Sequence, residues 1–113
     1  MTQEEIYARL RSFCLTFDGV VEEYPWGHTA WKVRKKCFAI GDEHRPFVTV
    51  KSTLDKQAAL IQLPYVEIAS HVGRFGWVTV RMDELDGLEL ALELVRESYE
   101  SIASPKRSKA KAG

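Results

Sequence analysis

The residues of this chain best suited to chemistry are cations that fall at strand ends and turns: Lys32, Arg34, Lys35, Lys36, Lys51 and Arg74. On protruding elements they could neutralise successive phosphates of a polyanion, the contact that supplies most of the affinity in nucleic-acid binding. A second set, Trp26, Trp31 and Phe75, offers rings that could stack on a base or line a pocket wherever one is exposed. Each set also has an ordinary reading: a Lys-Lys turn solubilises a hairpin tip, and an indole usually packs in a core. All these rings are expected to be more buried than exposed. Trp77 is expected to be a core anchor above all, because it starts an alternating strand directly after a flexible turn.

Other chemistries are poorly provided for. His28, His44 and His71 fall in loops or at strand edges, with no helical i,i+4 pair and no carboxylate at ligand spacing, so no metal site is expected. Glu4-Glu5, Glu22-Glu23 and Asp83-Glu84 with Asp86 are short scattered groups that read as solvated faces. Cys14 and Cys37 form no CxxC and read as packing residues of a reducing compartment. Neither cysteine lies on a sharp turn with a base in reach, and Gly73-Arg74-Phe75-Gly76 lacks the spacing of a phosphate loop or a dinucleotide turn. No catalytic motif is present, and no cofactor is expected.

A length of 113 residues with 45% hydrophobic content fits one domain. Lys plus Arg and Asp plus Glu both number 16, but Lys106, Arg107, Lys109 and Lys111 crowd the last eight positions, leaving 12 basic against 16 acidic residues before them. The expected organisation is a mildly acidic domain over 1–104 and a basic tail over 105–113, too poor in apolar surface to order itself. Thr-Gln-Glu-Glu after Met1 is no signal peptide, and no apolar run approaches the roughly 18 residues that span a bilayer. A cytoplasmic protein without membrane contact is expected.

The elements that must position these residues follow from periodicity. Thr2 to Glu5 has capping-box spacing before Ile6, Leu10, Phe13, Cys14 and Phe17, which predicts a helix over about 3–17. A short strand over 20–24 leads to the corner Pro25-Trp26-Gly27, and a hairpin follows from Ala30–Arg34 and Cys37–Ile40 with Lys35-Lys36 at its tip. Alternation puts Trp31, Val33, Phe38 and Ile40 on the core face, and Ala30, Lys32, Arg34, Ala39, Thr49 and Lys51 on the other. A strand over 47–51, a helix over 54–63 facing inward with Leu54, Ala58 and Ile61, a strand from Trp77 and a helix over 87–103 complete the chain. The segment 65–69 reads equally as strand or irregular chain. This order predicts an α+β fold, an antiparallel β-sheet with helices packed on one face.

Several pieces carry a family likeness. The PWG corner, Trp31-Lys32-Val33, Lys36-Cys37-Phe38-Ala39, Val48–Lys51, Val72–Val78 and Ser98-Tyr99 on the last helix together resemble the MmcQ/YjbR family over about residues 3–103. The resemblance implies a CyaY-like fold with a double wing suited to DNA, and it implies no established reaction. Two functions follow as expectations. One is weak, poorly sequence-selective DNA binding through Lys32, Arg34, Lys35, Lys36, Lys51 and Arg74, helped by Lys106 and Arg107 of the tail. The other is a small-molecule-binding or accessory role, with a pocket between the Pro25-Trp26-Gly27 corner and the Gly73–Gly76 turn.

Overall fold

The computed structural model describes residues 1–103; the expected tail over 105–113 lies outside them. Helix α1 (Gln3–Leu15) begins at the expected capping box: the Glu5 N–H donates to Thr2 Oγ1 at 3.1 Å and the Thr2 N–H to Glu5 Oε1 at 2.8 Å. Its Ile6, Leu10 and Cys14 share the buried stripe. Strands β1 (Val21–Glu23), β2 (Thr29–Val33), β3 (Lys36–Gly41) and β4 (Phe47–Val50) form a meander. Helix α2 (Leu54–Leu60) then crosses to β5 (Val66–Ile68), which turns back into β6 (Val78–Arg81), and α3 (Leu85–Ala103) closes the described chain. The sheet order is β1-β2-β3-β4-β6-β5, with every neighbouring pair antiparallel.

Helix α3 lies across β2, β3, β4 and β6 with α1 beside it, while α2 packs at the β5 edge. Under α1 and α3 the covered face buries Trp31, Val33, Phe38, Ala39, Val48, Val50, Val78 and Val80. Trp31 is the anchor, at 0% exposure. Its ring passes over Gly41, where a Cβ would stand 2.9 Å from it. Trp77, the expected anchor, is only half-buried and stands outside the core cluster. It precedes β6 out of phase with Val78 and Val80, and once those two valines face the core, alternation sends Trp77 the other way.

The hairpin differs from strict alternation at one point. Register passes from Trp31↔Ala39 to Lys32↔Cys37, so Phe38 is an extra residue on β3, a β-bulge. Phe38 and Ala39 are both fully buried, and Ile40 moves to the open face opposite Ala30. The expected places of Ala39 and Ile40 are thereby exchanged. Ser98 Oγ holds the bulge from α3, donating to the Phe38 carbonyl at 2.7 Å and accepting the Lys51 N–H at 3.3 Å. Tyr99 stacks on Phe17 at 4.5 Å between centroids and donates to the Asp18 carbonyl at 2.8 Å. The Ser98-Tyr99 pair thus ties α3 to the sheet and to the end of α1.

Helix α2 also departs from expectation: Leu54 and Ala58 face water and Gln57 is the buried residue. Its amide donates to the Gly73 and Trp77 carbonyls at 2.7 and 2.9 Å, which fastens the β5–β6 connection to the helix. Burial of this polar side chain is supported by two bonds that no apolar residue could make.

Candidate nucleic-acid interface

Register shows which side chains share an end of the sheet. Ala39, Val50, Val78 and Ile68 lie in one row across β3, β4, β6 and β5. Beyond that row, on the same side, lie the β2–β3 tip, Lys51 after β4, and the 69–77 connection. The tip is a two-residue turn of Arg34 and Lys35, with φ of 54° and 68°, rather than Lys35-Lys36; Lys36 is already the first residue of β3. Positive φ at both central residues is the hairpin turn that matches strand twist, and it ordinarily selects Asn and Gly. Connection residues Gly73–Phe75 form a 3-10 turn ending in Gly76 at φ 99°, packed against Ser52 and Thr53 at the start of α2. Arg74 is therefore carried to the Lys51 end of the molecule.

Arg34, Lys35, Lys36, Lys51 and Arg74 are all exposed, and none forms a salt bridge among the described residues. Lys32 is different, because Glu23 holds its ammonium at 2.9 Å on the open face. Of the acids at this end, Glu97 is taken by Lys56 and Glu100 by Arg96, while Asp18 stands just after α1 and Asp55 in the first turn of α2. Helices α1 and α3 both run toward this end, so Ala103 emerges here.

The opposite end is acidic. Glu4, Glu5, Asp42, Glu43, Asp83, Glu84 and Asp86 gather around the first turns of α1 and α3 and the β3–β4 loop, which Gln3 joins by donating to the Asp42 and Glu43 carbonyls at 3.4 and 3.3 Å. Acids there complement the N-terminal ends of both helices.

The three candidate stacking rings separate completely. Trp31 is core. Phe75 is 60% exposed at the basic end, with the Arg74 guanidinium 4.9 Å from its centroid. Trp26 is 95% exposed, in the left-handed region at φ 48°, and belongs to the acidic end through the β1–β2 corner. The expectation that these rings are mostly buried holds for Trp31 alone. Beside the corner, Glu22 is a hub the sequence did not reveal: it accepts Arg11 Nε and Nη2 at 2.8 and 3.0 Å, the Trp31 indole N–H at 2.9 Å, and the Tyr24 hydroxyl. Burial pushes the Glu22 carboxyl up, but the bonds from Arg11, Tyr24 and Trp31 outweigh it and hold the group below its ordinary value. Burial also pushes the Cys14 and Cys37 thiols up, so neither is poised as a thiolate.

A cavity of about 560 Å³ opens on the uncovered face of the sheet. Its floor includes Ile40, Phe47 and the Thr49–Thr79 pair, whose hydroxyls are 2.8 Å apart. Its walls come from His28 just after the corner, Asp42 and Arg45 of the β3–β4 loop, Glu67 on β5, and Ser70-His71-Val72 just before the 3-10 turn. The expected pocket residues Trp26 and Phe75 do not line it; residues two positions after the first and three to five before the second do. Among the described residues no group of three or more His, Cys, Asp and Glu is placed to hold a metal ion, and no helix is long and apolar enough to cross a membrane.

The YjbR family model matches residues 15–101. The chain belongs to the YjbR family. A crystal structure of protein DR2400 from Deinococcus radiodurans, which carries a DUF419 domain, shares the fold at a TM-score of 0.78 and 24% identity, covering 89% of this chain and 80% of that chain. No curated protein matches this YjbR chain.

Proposed function

We propose that this YjbR-family protein is a weak, poorly sequence-selective DNA-binding protein that meets the duplex with the Arg34-Lys35 end of its sheet. The observation that carries the reading is the gathering of Arg34, Lys35, Lys36, Lys51 and Arg74 at one end without carboxylate partners among the described residues, against an acidic opposite end. The β2–β3 tip and the Gly73–Gly76 turn act as two wings on the phosphates, and Phe75 beneath Arg74 offers the one exposed ring among them. Ala103, the last described residue, lies at this end, and the sequence after it holds four cations in its last eight positions. Lys32, neutralised by Glu23, contributes little.

Phosphate contacts position a protein without reading bases, so affinity is electrostatic and salt-dependent. If about four phosphates are neutralised, binding weakens by on the order of a hundredfold between 50 and 200 mM salt. Fluorescence anisotropy on several duplexes tests this. Lys35→Ala with Lys36→Ala should flatten the salt slope by about two units on every duplex without changing their order, and ending the chain at Ser104 should weaken binding further. Wild-type affinity and slope in both variants would remove the reading.

A further inference from the structure

We infer that the open-face cavity binds a short zwitterion of dipeptide size, held between Glu67 and Arg45. Both side chains line the cavity, and neither has a hydrogen-bond or salt-bridge partner among the described residues. The cavity's other carboxylate is engaged: Asp42 accepts the His44 N–H at 2.7 Å through one oxygen and faces His28 Nδ1 at 3.7 Å with the other. That leaves one free anion and one free cation in a single concavity. A polyanion is a poor occupant because two carboxylates face it, and an apolar one leaves both charges unanswered.

The placement of Glu67 and Arg45 on different elements favours a ligand whose two charges stand apart. Glu67 pairs with Thr79 and Thr79 with Thr49, so Glu67 sits two strand spacings, about 10 Å, from Thr49 on β4, and Arg45 lies a further four residues back along the chain, so the two side chains start from opposite sides of the cavity. An α-amino acid carries its ammonium and carboxylate on one carbon, whereas a dipeptide holds them apart, as residues on opposite sides of a cavity favour. Two residues extended span about 7 Å, which the Glu67 and Arg45 side chains can complete at either end. Between the charges lie the Thr49 and Thr79 hydroxyls and Ser70, suited to a peptide group, and the apolar surfaces of Ile40, Phe47 and Val72, suited to a side chain. The volume is within the range of about 300–1,000 Å³ usual for small-molecule sites. His71, held at φ 65°, is a second sign of constraint in this wall, since strained backbone persists where surrounding structure fixes it.

The test is a titration of the full chain, followed by amide NMR shifts, with the dipeptide Ala-Phe, its N-acetyl form and its C-terminal amide. Free Ala-Phe should give saturable shifts at Thr49, Ser70 and Thr79, and blocking either end should weaken binding by about tenfold or more. Arg45→Gln should bind the free and amidated forms alike, and Glu67→Gln should bind the free and acetylated forms alike. Both positions are at the surface, and the same spectra report whether each variant is folded. The inference is overturned if millimolar Ala-Phe shifts nothing, if blocked and free forms bind the wild type equally, or if the variants leave the discrimination intact. Lys35→Ala with Lys36→Ala should leave dipeptide binding unchanged, which separates this site from the DNA reading.

Discussion

Strand β2 ends in a strained, water-exposed turn on each side, and the two turns make a natural comparison. At its start the Pro25–Gly27 corner holds Trp26 at φ 48° with its ring in solvent; at its finish Arg34 and Lys35 occupy the same left-handed region. Such conformations in non-glycine residues cost on the order of 1–3 kcal/mol each. Strain and exposure are common to both ends, so neither property distinguishes a polyanion contact from anything else. The surroundings do: the tip shares its end of the sheet with Lys36, Lys51 and Arg74, and the corner lies beside Glu22, Glu23 and the acidic β3–β4 loop. A left-handed residue marks where the fold tolerates strain, and the neighbouring charges determine what can approach it.

The strand that joins the two turns is fixed by Trp31, so Trp31→Ala should loosen both ends and cost roughly 3–5 kcal/mol in equilibrium denaturation. Trp77→Ala should cost clearly less, because that ring is outside the core cluster. Hydrogen exchange that rises at only one end in Trp31→Ala would break the idea of a shared anchor.

Glu22→Gln should affect the corner end alone, by about 1–3 kcal/mol, since Arg11 loses its ion pair and the buried indole N–H its charged acceptor. The carboxyl is held below its ordinary value of 4.5, so its contribution is full above that value and is lost as pH falls through the lowered one. The stability gap between wild type and Glu22→Gln should be flat above about pH 6 and close in acid. A gap that persists unchanged in acid would show that packing, and not charge, makes the difference.

At the tip, Arg34→Asn with Lys35→Gly supplies the residues this turn prefers and should raise stability by about 1–2 kcal/mol while weakening DNA binding. Opposite signs in the two measurements would show that the tip keeps its strained cations for contact with DNA; equal DNA affinity would place the contact elsewhere. Smallest of all should be Trp26→Ala, within about 0.5 kcal/mol of wild type, because its ring buries almost nothing. A larger loss would mean that the corner has a partner within the fold.

Much of this was legible in the residues themselves. The capping box of α1, stripes such as Ile6-Leu10-Cys14 and the alternation of Phe47–Val50 are local signals, and they determined the α+β architecture and most element bounds to within a few residues. The cations of the hairpin, Lys51 and Arg74 were visible as types. That register brings five of them to one end while Glu23 claims Lys32 emerges in three dimensions alone, because pairing partners are distant in sequence. So does the exchange of Ala39 with Ile40 by the bulge at Phe38, since one extra residue shifts the face of everything after it. The inward Gln57, the Glu22 hub and the cavity between Glu67 and Arg45 have no local signature for the same reason: each depends on groups from separate strands and loops, which the sequence does not place beside one another.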